Sequence, residues 1–308
     1  MTKLDLSEIL ICVRCGAALP PEESWESTGT RCADCRTAVP IVRGILRFVT
    51  SDAYAASFSF EWNIHSKTQL DSATSRESEE TFRAKTGLTP EDVAGRLVLD
   101  VGCGMGRFAD VVSRWGGRVV GIDLSLAVEA AQANLGGREN VCILQADLFR
   151  LPFRPGSFDI VYSLGVLHHT PDCEKAFRQI VPFVRPGGRV CLWVYGKVGP
   201  WEDFARLYRR VTVRMPPRVL HALCHLAIPW YHICRIPLIG PRLWSLLPIS
   251  QHPNPDWRVL DTFDWYSPKY QSLHTFPEVY RWFRSEGLLD ISLFDFPVAV
   301  AGTRPAKG

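Results

Sequence analysis

The segment LVLDVGCGMGRFADVV, residues 97–112, constrains the fold more strongly than any other part of the sequence. An apolar run, LVLDV, leads into three glycines, and apolar residues at helical spacing then follow from Phe108 to Trp115. This order predicts a buried strand, a glycine turn and a helix. Because glycine carries no Cβ, the backbone of such a turn can approach a bound molecule closely. We therefore expect a ligand site at this turn.

Segments of the same kind continue to residue 195. Strand-like runs occur at 118–123, 140–147, 158–164 and 189–195, and SLAVEAAQANL at 125–135 is typical of a helix that Ser125 can cap. Alternating strands and helices predict a parallel sheet with helices on both faces. The expected fold class is therefore α/β, with a doubly wound sheet.

The spacing of the glycines distinguishes this turn from a dinucleotide site. The run from Gly102 to Gly106 is spaced G-x-G-x-G, whereas the dinucleotide fingerprint is G-x-G-x-x-G. Asp100, at the end of the first strand, suits a cofactor with a positively charged amino-acid tail. Asp123 and Asp147 end the next two strands, where the first can accept hydrogen bonds from ribose hydroxyls and the second from an adenine amino group.

Five ordered motifs, DVGCGMGR, GIDLS, QADLFRLPF, FDIVYSLGVLHHTPD and RPGGRV, lie between residues 96 and 195. In this order they resemble the motifs of class I S-adenosylmethionine-dependent methyltransferases of the methyltransferase-domain type 11 group. The resemblance implies a seven-stranded, Rossmann-like sheet of order 3-2-1-4-5-7-6 with an antiparallel last strand, and a role in biosynthesis. It also implies that S-adenosylmethionine is bound by these residues: Asp100, Gly102, Cys103, Gly104, Gly106, Asp123, Leu124, Asp147, Leu148, Ser163 and Leu164.

Two alternatives to this interpretation remain open. Taken alone, the glycine turn also fits other doubly wound proteins. The second alternative is that the chain is a non-catalytic partner subunit that keeps the cofactor only for stability. The presence of Asp100, Asp123 and all three glycines argues against that alternative, because a site without function need not keep them.

Four of the ten cysteines are arranged as two C-x-x-C pairs, in CVRC and CADC. Two such knuckles can close a tetrahedral zinc site with no open position, which is typical of a structural metal. We therefore predict a small zinc ribbon in residues 1–50, unless the pairs are unrelated or redox-active. The predicted zinc ligands are Cys12, Cys15, Cys32 and Cys35.

Residues 51–95 are expected to connect the ribbon to the methyltransferase domain, 96–308, and to contain a helix near 75–87. The segment FSFEWN, Phe58 to Asn63, is similar to a segment that precedes the catalytic domain in bacterial methyltransferases with a zinc ribbon. We expect Phe60 and Trp62 to cover the cofactor or the substrate, with ordinary packing as the alternative.

Residues 197–271 form an insertion that is long enough to need its own structure. The part from 197 to 260 carries nine Lys or Arg and only three acids. A helical lid here can bind an apolar or acid-bearing acceptor, or contact anionic membrane lipid through 201–247; packing against a subunit partner is the alternative. The aromatic and basic residues expected in the lid are Trp201, Trp230, Tyr231, Trp244, Trp257, Arg206, Arg209, Arg210, Arg214 and Arg218.

The end of the chain has its own signals. Thr275 and Glu278 predict a capping box at the start of a helix that Gly287 ends. The segment DISLFDFPVAVAGT that follows predicts a hairpin of the last two strands.

His168 and His169, in VLHHTPD, follow the fourth strand of the domain. Either one can take a proton from an acceptor hydroxyl or orient an acid, and the alternative is that both fix the loop by hydrogen bonds. Tyr162 and Tyr195 are further candidates. The expected reaction is in-line displacement of a methyl group to an O, N or C atom, which gains most from positioning and the exclusion of water.

A small or lipid-like molecule is the favoured methyl acceptor. Ribosomal RNA is the second candidate, since a family of RNA guanine methyltransferases joins a zinc site to this fold. However, residues 8–50 carry five Arg against five acids, so the ribbon has no basic surface for nucleic acid. The sequence also has no NPPY or DPPY run and no predicted signal peptide or membrane span, so we expect a cytoplasmic protein.

Overall fold

A mixed sheet of ten strands runs through the part of the chain that the structure, a computed structural model, describes: residues 4–51, 53–72, 74–197 and 201–306. Residues 1–3 of the predicted ribbon, residues 198–200 of the predicted lid and the side chain of Trp201 lie outside this description. The strands are β1 (Gly29–Arg31), β2 (Ala38–Val42), β3 (Ile45–Arg47), β4 (Leu97–Val101), β5 (Arg118–Asp123), β6 (Val141–Gln145), β7 (Phe158–Leu164), β8 (Val184–Trp193), β9 (Leu289–Phe294) and β10 (Ala299–Thr303).

Seven of these strands follow the predicted order. They are arranged β6-β5-β4-β7-β8-β10-β9, which is 3-2-1-4-5-7-6 when counted from β4. Strands β4 to β8 pair in parallel, and β10 is antiparallel to both of its neighbours. The predicted doubly wound α/β class and the closing hairpin are therefore confirmed.

The expected total of seven strands is corrected to ten, because the N-terminal segment adds three strands to the sheet. β2 and β3 form a hairpin across Arg43 and Gly44, which both have a positive φ, as a two-residue hairpin turn requires. β3 then pairs in parallel with β6, placing Leu46 opposite Leu144. β3 therefore covers the carboxyl-terminal end of the β6 edge, at Leu144 and Gln145.

Twelve helices are described, and they cover both faces of the sheet. They are α1 (Ala56–Ile64), α2 (Glu77–Thr86), α3 (Pro90–Val93), α4 (Arg107–Arg114), α5 (Ala127–Leu135), α6 (Cys173–Ile180), α7 (Trp201–Thr212), α8 (Pro217–Cys224), α9 (Ala227–Cys234), α10 (Gly240–Leu246), α11 (Pro255–Tyr266) and α12 (Phe276–Ser285). Val98 and Leu99 are neighbours on β4 but belong to different hydrophobic clusters, because successive strand residues face opposite sides. One cluster includes Phe82 of α2, and the other includes Phe177 of α6.

One of the two predicted helix caps is present, at Thr275, whereas the N-cap position of α5 is taken by Leu126 and not by Ser125. The Thr275 hydroxyl accepts a bond from the Glu278 N–H, and the Glu278 carboxylate accepts one from the Thr275 N–H. This capping box begins α12 as predicted. The Ser125 hydroxyl accepts a bond from the Ala127 N–H at 3.2 Å, at the first residue of α5.

The lid insertion forms five helices, α7 to α11. α7, α8 and α9 all pack against α11, whose fully buried Phe263 lies in a cluster with Leu220 and Cys224 of α8. Phe60 of α1 packs against the same cluster, so α1 lies between the sheet and the lid. None of the helices in the described ranges has both the length and the apolar character needed to cross a bilayer.

Candidate active site and cysteine cluster

A cavity of about 770 Å³ lies at the carboxyl ends of the parallel strands, between the sheet, α1 and the lid. Ligand sites in open parallel sheets are found at this edge. One end of the cavity is lined by predicted cofactor-binding residues: Trp62, Gly102, Cys103, Gly104, Asp123, Leu124, Asp147, Leu148 and Leu164. The other end lies beneath α7 and α11 of the lid.

The glycine turn has a backbone that other residues adopt only with strain. Gly102 and Gly104 have φ values of +84° and +53°. A Cβ on Gly102 would overlap Val166, and one on Gly104 would lie 3.3 Å from Nε1 of Trp62. Trp62 therefore packs directly against the turn. Phe60 is not among the residues that line the cavity and instead contacts Phe263.

Asp123 links the glycine turn to the start of α5. Its Oδ2 accepts a hydrogen bond from the Gly104 N–H at 2.9 Å, and its Oδ1 accepts two from Ser125, at 2.8 Å from N–H and 2.7 Å from the hydroxyl. Burial raises the pKa of Asp123, and the bonds from Ser125 oppose that rise. Asp147 also lines the cavity, and its Oδ1 accepts a bond from the Phe149 N–H at 2.9 Å.

Four of the predicted site residues do not line the cavity: Asp100, Gly106, Ser163 and His168. Asp100 is buried beneath the turn, and its Oδ2 has no hydrogen-bond partner in the described part of the chain. Burial raises the pKa of Asp100 to about 7. The Ser163 hydroxyl donates to the Val101 carbonyl at 2.9 Å, so it joins β7 to β4.

The two predicted catalytic histidines differ in position. His168 is fully buried, stacks on Tyr195 with ring centres 3.8 Å apart, and accepts the Tyr195 N–H at Nδ1. His169 lines the cavity, and its Nδ1 lies 3.1 Å from the Tyr270 carbonyl, which can only accept. In the neutral ring, Nε2 of His169 therefore has a free lone pair, and it lies 3.8 Å from Oδ1 of Asp264. Burial lowers the pKa of both histidines.

Three carboxyl groups line the lid end of the cavity: Glu61, Asp261 and Asp264. Asp264 accepts a hydrogen bond from the Tyr195 hydroxyl. Glu61 is fully buried, and neither of its carboxylate oxygens has a hydrogen-bond partner among the described residues. Burial, and then the nearby Asp264 and Asp261, hold the pKa of Glu61 well above its usual range. Burial likewise raises the pKa of Asp261 to about 7.

Three basic side chains face the same region. The Arg107 guanidinium donates to Ser78 and Gln69, and that of Arg209 donates to the backbone carbonyls of Trp265, in the last turn of α11, and of Pro268. The Lys85 ammonium lies 3.2 Å from the centre of the Trp193 ring, and burial holds its pKa well below the usual value. Arg107 lies near Asp261 and Arg209 near Asp264, whereas burial favours the neutral form of Glu61.

Of the lid residues expected from the sequence, only some reach the cavity. Trp257, Arg206 and Arg209 line it. The other described side chains of that set, Trp230, Tyr231, Trp244, Arg210, Arg214 and Arg218, do not. The sequence did not point to Glu61, Lys85, Asp261 or Asp264: the last three belong to no short motif, and in FSFEWN the aromatic residues drew attention instead of Glu61.

The four N-terminal cysteines come together as predicted. All four sulfurs lie within 4.8 Å of one another, and the Cys12–Cys35 and Cys15–Cys32 pairs are both 3.5 Å apart. Zinc–sulfur bonds of about 2.3 Å place tetrahedral sulfurs roughly 3.8 Å apart, so this donor set fits zinc. It is the one such group of ligands found in the ranges that the structure describes.

Comparisons with known proteins agree with this geometry. A family described as a methyltransferase domain matches residues 99–192. The ubiquinone biosynthesis O-methyltransferase of Albidiferax ferrireducens is 41% identical over 113 residues, 33% of this chain and 41% of that protein. The demethylmenaquinone methyltransferase of Lactococcus lactis is 33% identical over 128 residues, 40% of this chain and 51% of that protein.

A probable tRNA methyltransferase 9B of Mus musculus is also similar, at 31% identity over 151 residues, 46% of this chain and 31% of that protein. The chain thus spans about half or less of the length of the curated relatives it matches. The family match at 99–192 contains the glycine turn and the acids of the strand ends. Residues 99–192 of this chain therefore form a methyltransferase domain of the class I, S-adenosylmethionine-dependent kind.

Proposed function

We propose that the chain transfers a methyl group from S-adenosylmethionine to a hydroxyl of a small, largely apolar acceptor. The observation that carries this proposal is that one cavity joins the glycine turn and Asp123 to His169 beneath the lid. Such a cavity can hold a cofactor and an acceptor together and exclude water from both.

The cofactor end is assigned to residues of the sheet edge. Asp123 would accept hydrogen bonds from ribose hydroxyls, and Asp147 and Leu148 would lie at the adenine. Gly102 and Gly104 would allow close approach of the methionine part, with Trp62 covering it. Asp100 lies beneath the turn and does not line the cavity, so it would affect binding of the methionine part indirectly, by way of the turn. When bound, S-adenosylmethionine supplies an activated methyl group.

At the acceptor end, His169 is the proposed base. Its Nδ1 is occupied by the Tyr270 carbonyl, so its Nε2 would take the proton of the acceptor hydroxyl. Burial lowers the pKa of His169, which keeps the ring neutral and able to accept that proton. Glu61, as a neutral carboxyl, would donate a hydrogen bond to a second oxygen of the acceptor. His168 is proposed only to hold Tyr195 in place.

The acceptor class follows from what lines the cavity. Trp193, Trp257 and Trp265 contribute apolar surface at the lid end, beside the carboxyl and basic groups described above. Two relatives carry names of enzymes that act on quinones or their precursors, which agrees with an apolar, oxygen-bearing acceptor. RNA is the second candidate, because one relative is named as a probable tRNA methyltransferase. An enclosed apolar cavity suits RNA less well, since nucleic-acid interfaces are polar and basic.

Zinc is proposed as a structural metal bound by Cys12, Cys15, Cys32 and Cys35. Four thiolates leave no open position for a substrate, so no catalytic step is assigned to it. A cytoplasmic location, and a lipid-like acceptor supplied by a membrane near 201–247, also stay predictions.

The test is transfer of labelled methyl from S-adenosylmethionine into host extract, separated into lipid, small-molecule, RNA and protein fractions. Label in the lipid or small-molecule fraction that Asp123→Ala abolishes would support the proposal. Label in RNA would favour the second candidate. If the protein binds the demethylated cofactor but labels no fraction, a non-catalytic partner subunit becomes the better explanation.

A further inference from the structure

The outer surface of the lid exposes many large apolar side chains. We use the name lid face for the exposed side chains of residues 204–247, on α7 to α10 and their connecting turns. Its apolar members are Phe204, Leu207, Val211, Val219, Leu223, Leu226, Ile233, Ile236, Leu238, Ile239, Leu246 and Leu247. All are between 39% and 85% exposed, whereas soluble monomers rarely expose large contiguous apolar patches.

The spacing of these residues places them on the same side of each helix. On α7, Phe204, Leu207 and Val211 are three and four residues apart, so they share one face. Val219 and Leu223 are spaced in the same way on α8. Because α7, α8 and α9 all pack on α11, their exposed faces turn away from it and toward the outside.

The turn between α9 and α10 presents a leucine at its tip. Leu238 is 85% exposed, more than any other large apolar residue described. Its φ is +70°, a left-handed conformation that costs a non-glycine residue about 1 kcal/mol or more. A strained backbone that projects a leucine into water is not explained by packing within the chain.

The charge of the lid face has one sign. Residues 204–255 contain seven Arg and no Asp, Glu or Lys. Arg210, Arg214, Arg218 and Arg242 are exposed, and none of them forms an ion pair with a described residue. The surface therefore combines apolar side chains with exposed Arg side chains that have no ion-pair partner among the described residues.

The lid face and the acceptor end of the cavity belong to the same helix. On α7, Ala205, Arg206 and Arg209 line the cavity, whereas Phe204 and Leu207 are exposed. A surface that receives the lid face would therefore lie one helix away from the proposed acceptor site.

We propose that the lid face docks on the surface of a bilayer that contains anionic lipid. Exposed apolar side chains enter the region between headgroups and acyl chains, and nearby Arg side chains pair with the negative surface. Nucleic acid fits less well, because exposed leucines gain nothing from contact with a phosphate backbone. Docking places the mouth of the cavity near membrane-dissolved molecules; this last step, and only this step, rests on the proposed function.

The experiment is co-sedimentation of the cofactor-free chain with vesicles of phosphatidylcholine alone or mixed with phosphatidylglycerol. We expect binding to the anionic vesicles that weakens at high salt. The triple variant Arg210→Gln, Arg214→Gln, Arg218→Gln should bind about a hundredfold more weakly. The single variant Leu238→Ser should also bind measurably more weakly, and it cannot disturb the fold because the side chain is already exposed.

Two matched controls are available on other surfaces. Arg31→Gln with Arg118→Gln and Arg281→Gln removes the same charge, and Leu293→Ser removes an exposed leucine of β9. Both should bind as the wild type does. Any of four results would overturn the proposal. In the first two, the chain binds neutral vesicles as tightly as anionic ones, or binds neither kind. In the other two, the control variants lose as much binding as the lid-face variants, or the chain binds a 30-nucleotide RNA more tightly than anionic vesicles at the same salt. None of these outcomes bears on methyl transfer, since no cofactor is present.

Discussion

Asp123 holds two parts of the cofactor end together, because its carboxylate accepts bonds from both Gly104 and Ser125. We expect Asp123→Ala to weaken binding of the demethylated cofactor roughly tenfold to a hundredfold, since hydrogen bonds to a charged group contribute about 1.5–3 kcal/mol each. Isothermal titration calorimetry measures this change. Asp290→Asn, at an exposed aspartate of β9, is the matched control and should bind normally. Unchanged affinity in Asp123→Ala would contradict the assignment.

His169 should set the acid side of the pH–rate profile. Because burial lowers its pKa, kcat/KM should stay high below the usual histidine value of about 6.5 and fall only at lower pH. We expect His169→Gln to lose this limb and to slow transfer by about 10²–10⁴, with cofactor affinity unchanged. The measurement is label transfer into the acceptor fraction across pH, with His232→Gln, at an exposed lid histidine, as the control. An unchanged profile in His169→Gln would remove it as the base.

The sequence suggested His168 and His169 equally as catalytic candidates and could not distinguish between them. That choice depends on the short 3-10 turn Leu167–His169, which directs His168 under Tyr195 and His169 into the cavity. Glu61 was missed for a different reason. It lies in FSFEWN, where the aromatic residues are the visible signal, and it is buried beside Asp261 and Asp264 of α11, two hundred residues later in the chain. No local pattern encodes such an environment.

At the scale of elements, the ribbon is tied to the sheet through β3. Leu46 and the ribbon residues Leu10 and Leu19 belong to one hydrophobic cluster with strands of the methyltransferase domain. We therefore expect Cys15→Ser to lower zinc content below one ion per chain and to lower the midpoint of a single cooperative unfolding transition. Elemental analysis and scanning calorimetry test this, with Cys142→Ser in β6 as the control. A separate, early transition of the ribbon would show that it unfolds independently.

Alternating strand and helix segments predicted the parallel sheet, and the resemblance to class I methyltransferases implied the order of its central strands. The three added strands could not be predicted. β3 is only three residues long, ILR, and its pairing with β6 depends on a sheet edge formed by residues 141–145. Similarly, the basic and aromatic composition of the lid indicated a cover for the site, but not that Arg210, Arg214 and Arg218 face outward.

For the whole molecule, buried carboxyl groups should make stability depend on pH. Burial raises the pKa of Asp100 from 3.8 to about 7, so its folded value lies above its unfolded one. The favourable contribution of Asp100 to the free energy of unfolding is therefore complete below about pH 4 and is lost as pH rises through 7. Asp100→Asn should thus gain stability relative to the wild type between pH 5 and pH 8, by at most a few kcal/mol at about 1.4 kcal/mol per pKa unit.

Denaturant unfolding of the cofactor-free protein at both pH values measures this difference. The histidines also make stability depend on pH in this range, with the opposite sign; burial lowers the pKa of His65, for example, to about 4. Because the variant and the wild type share these histidines, their contribution cancels in the difference between the two proteins. Asp172→Asn is unsuitable as a control because Asp172 caps α6, whereas Asp290→Asn leaves every cap in place. A difference that does not change with pH would show that Asp100 is already ionised in the fold.

The pairing of β3 with β6 also determines where the sheet stops. Without the N-terminal strands, β6 would be a five-residue apolar edge, VCILQ, with unpaired N–H and C=O groups open to another chain. With them, the sheet ends instead at β1, which is three residues long and too short to be a good template. Because Cys32 and Cys35 lie between β1 and β2, loss of a bound metal should loosen these strands, and we expect aggregation as well as lower stability.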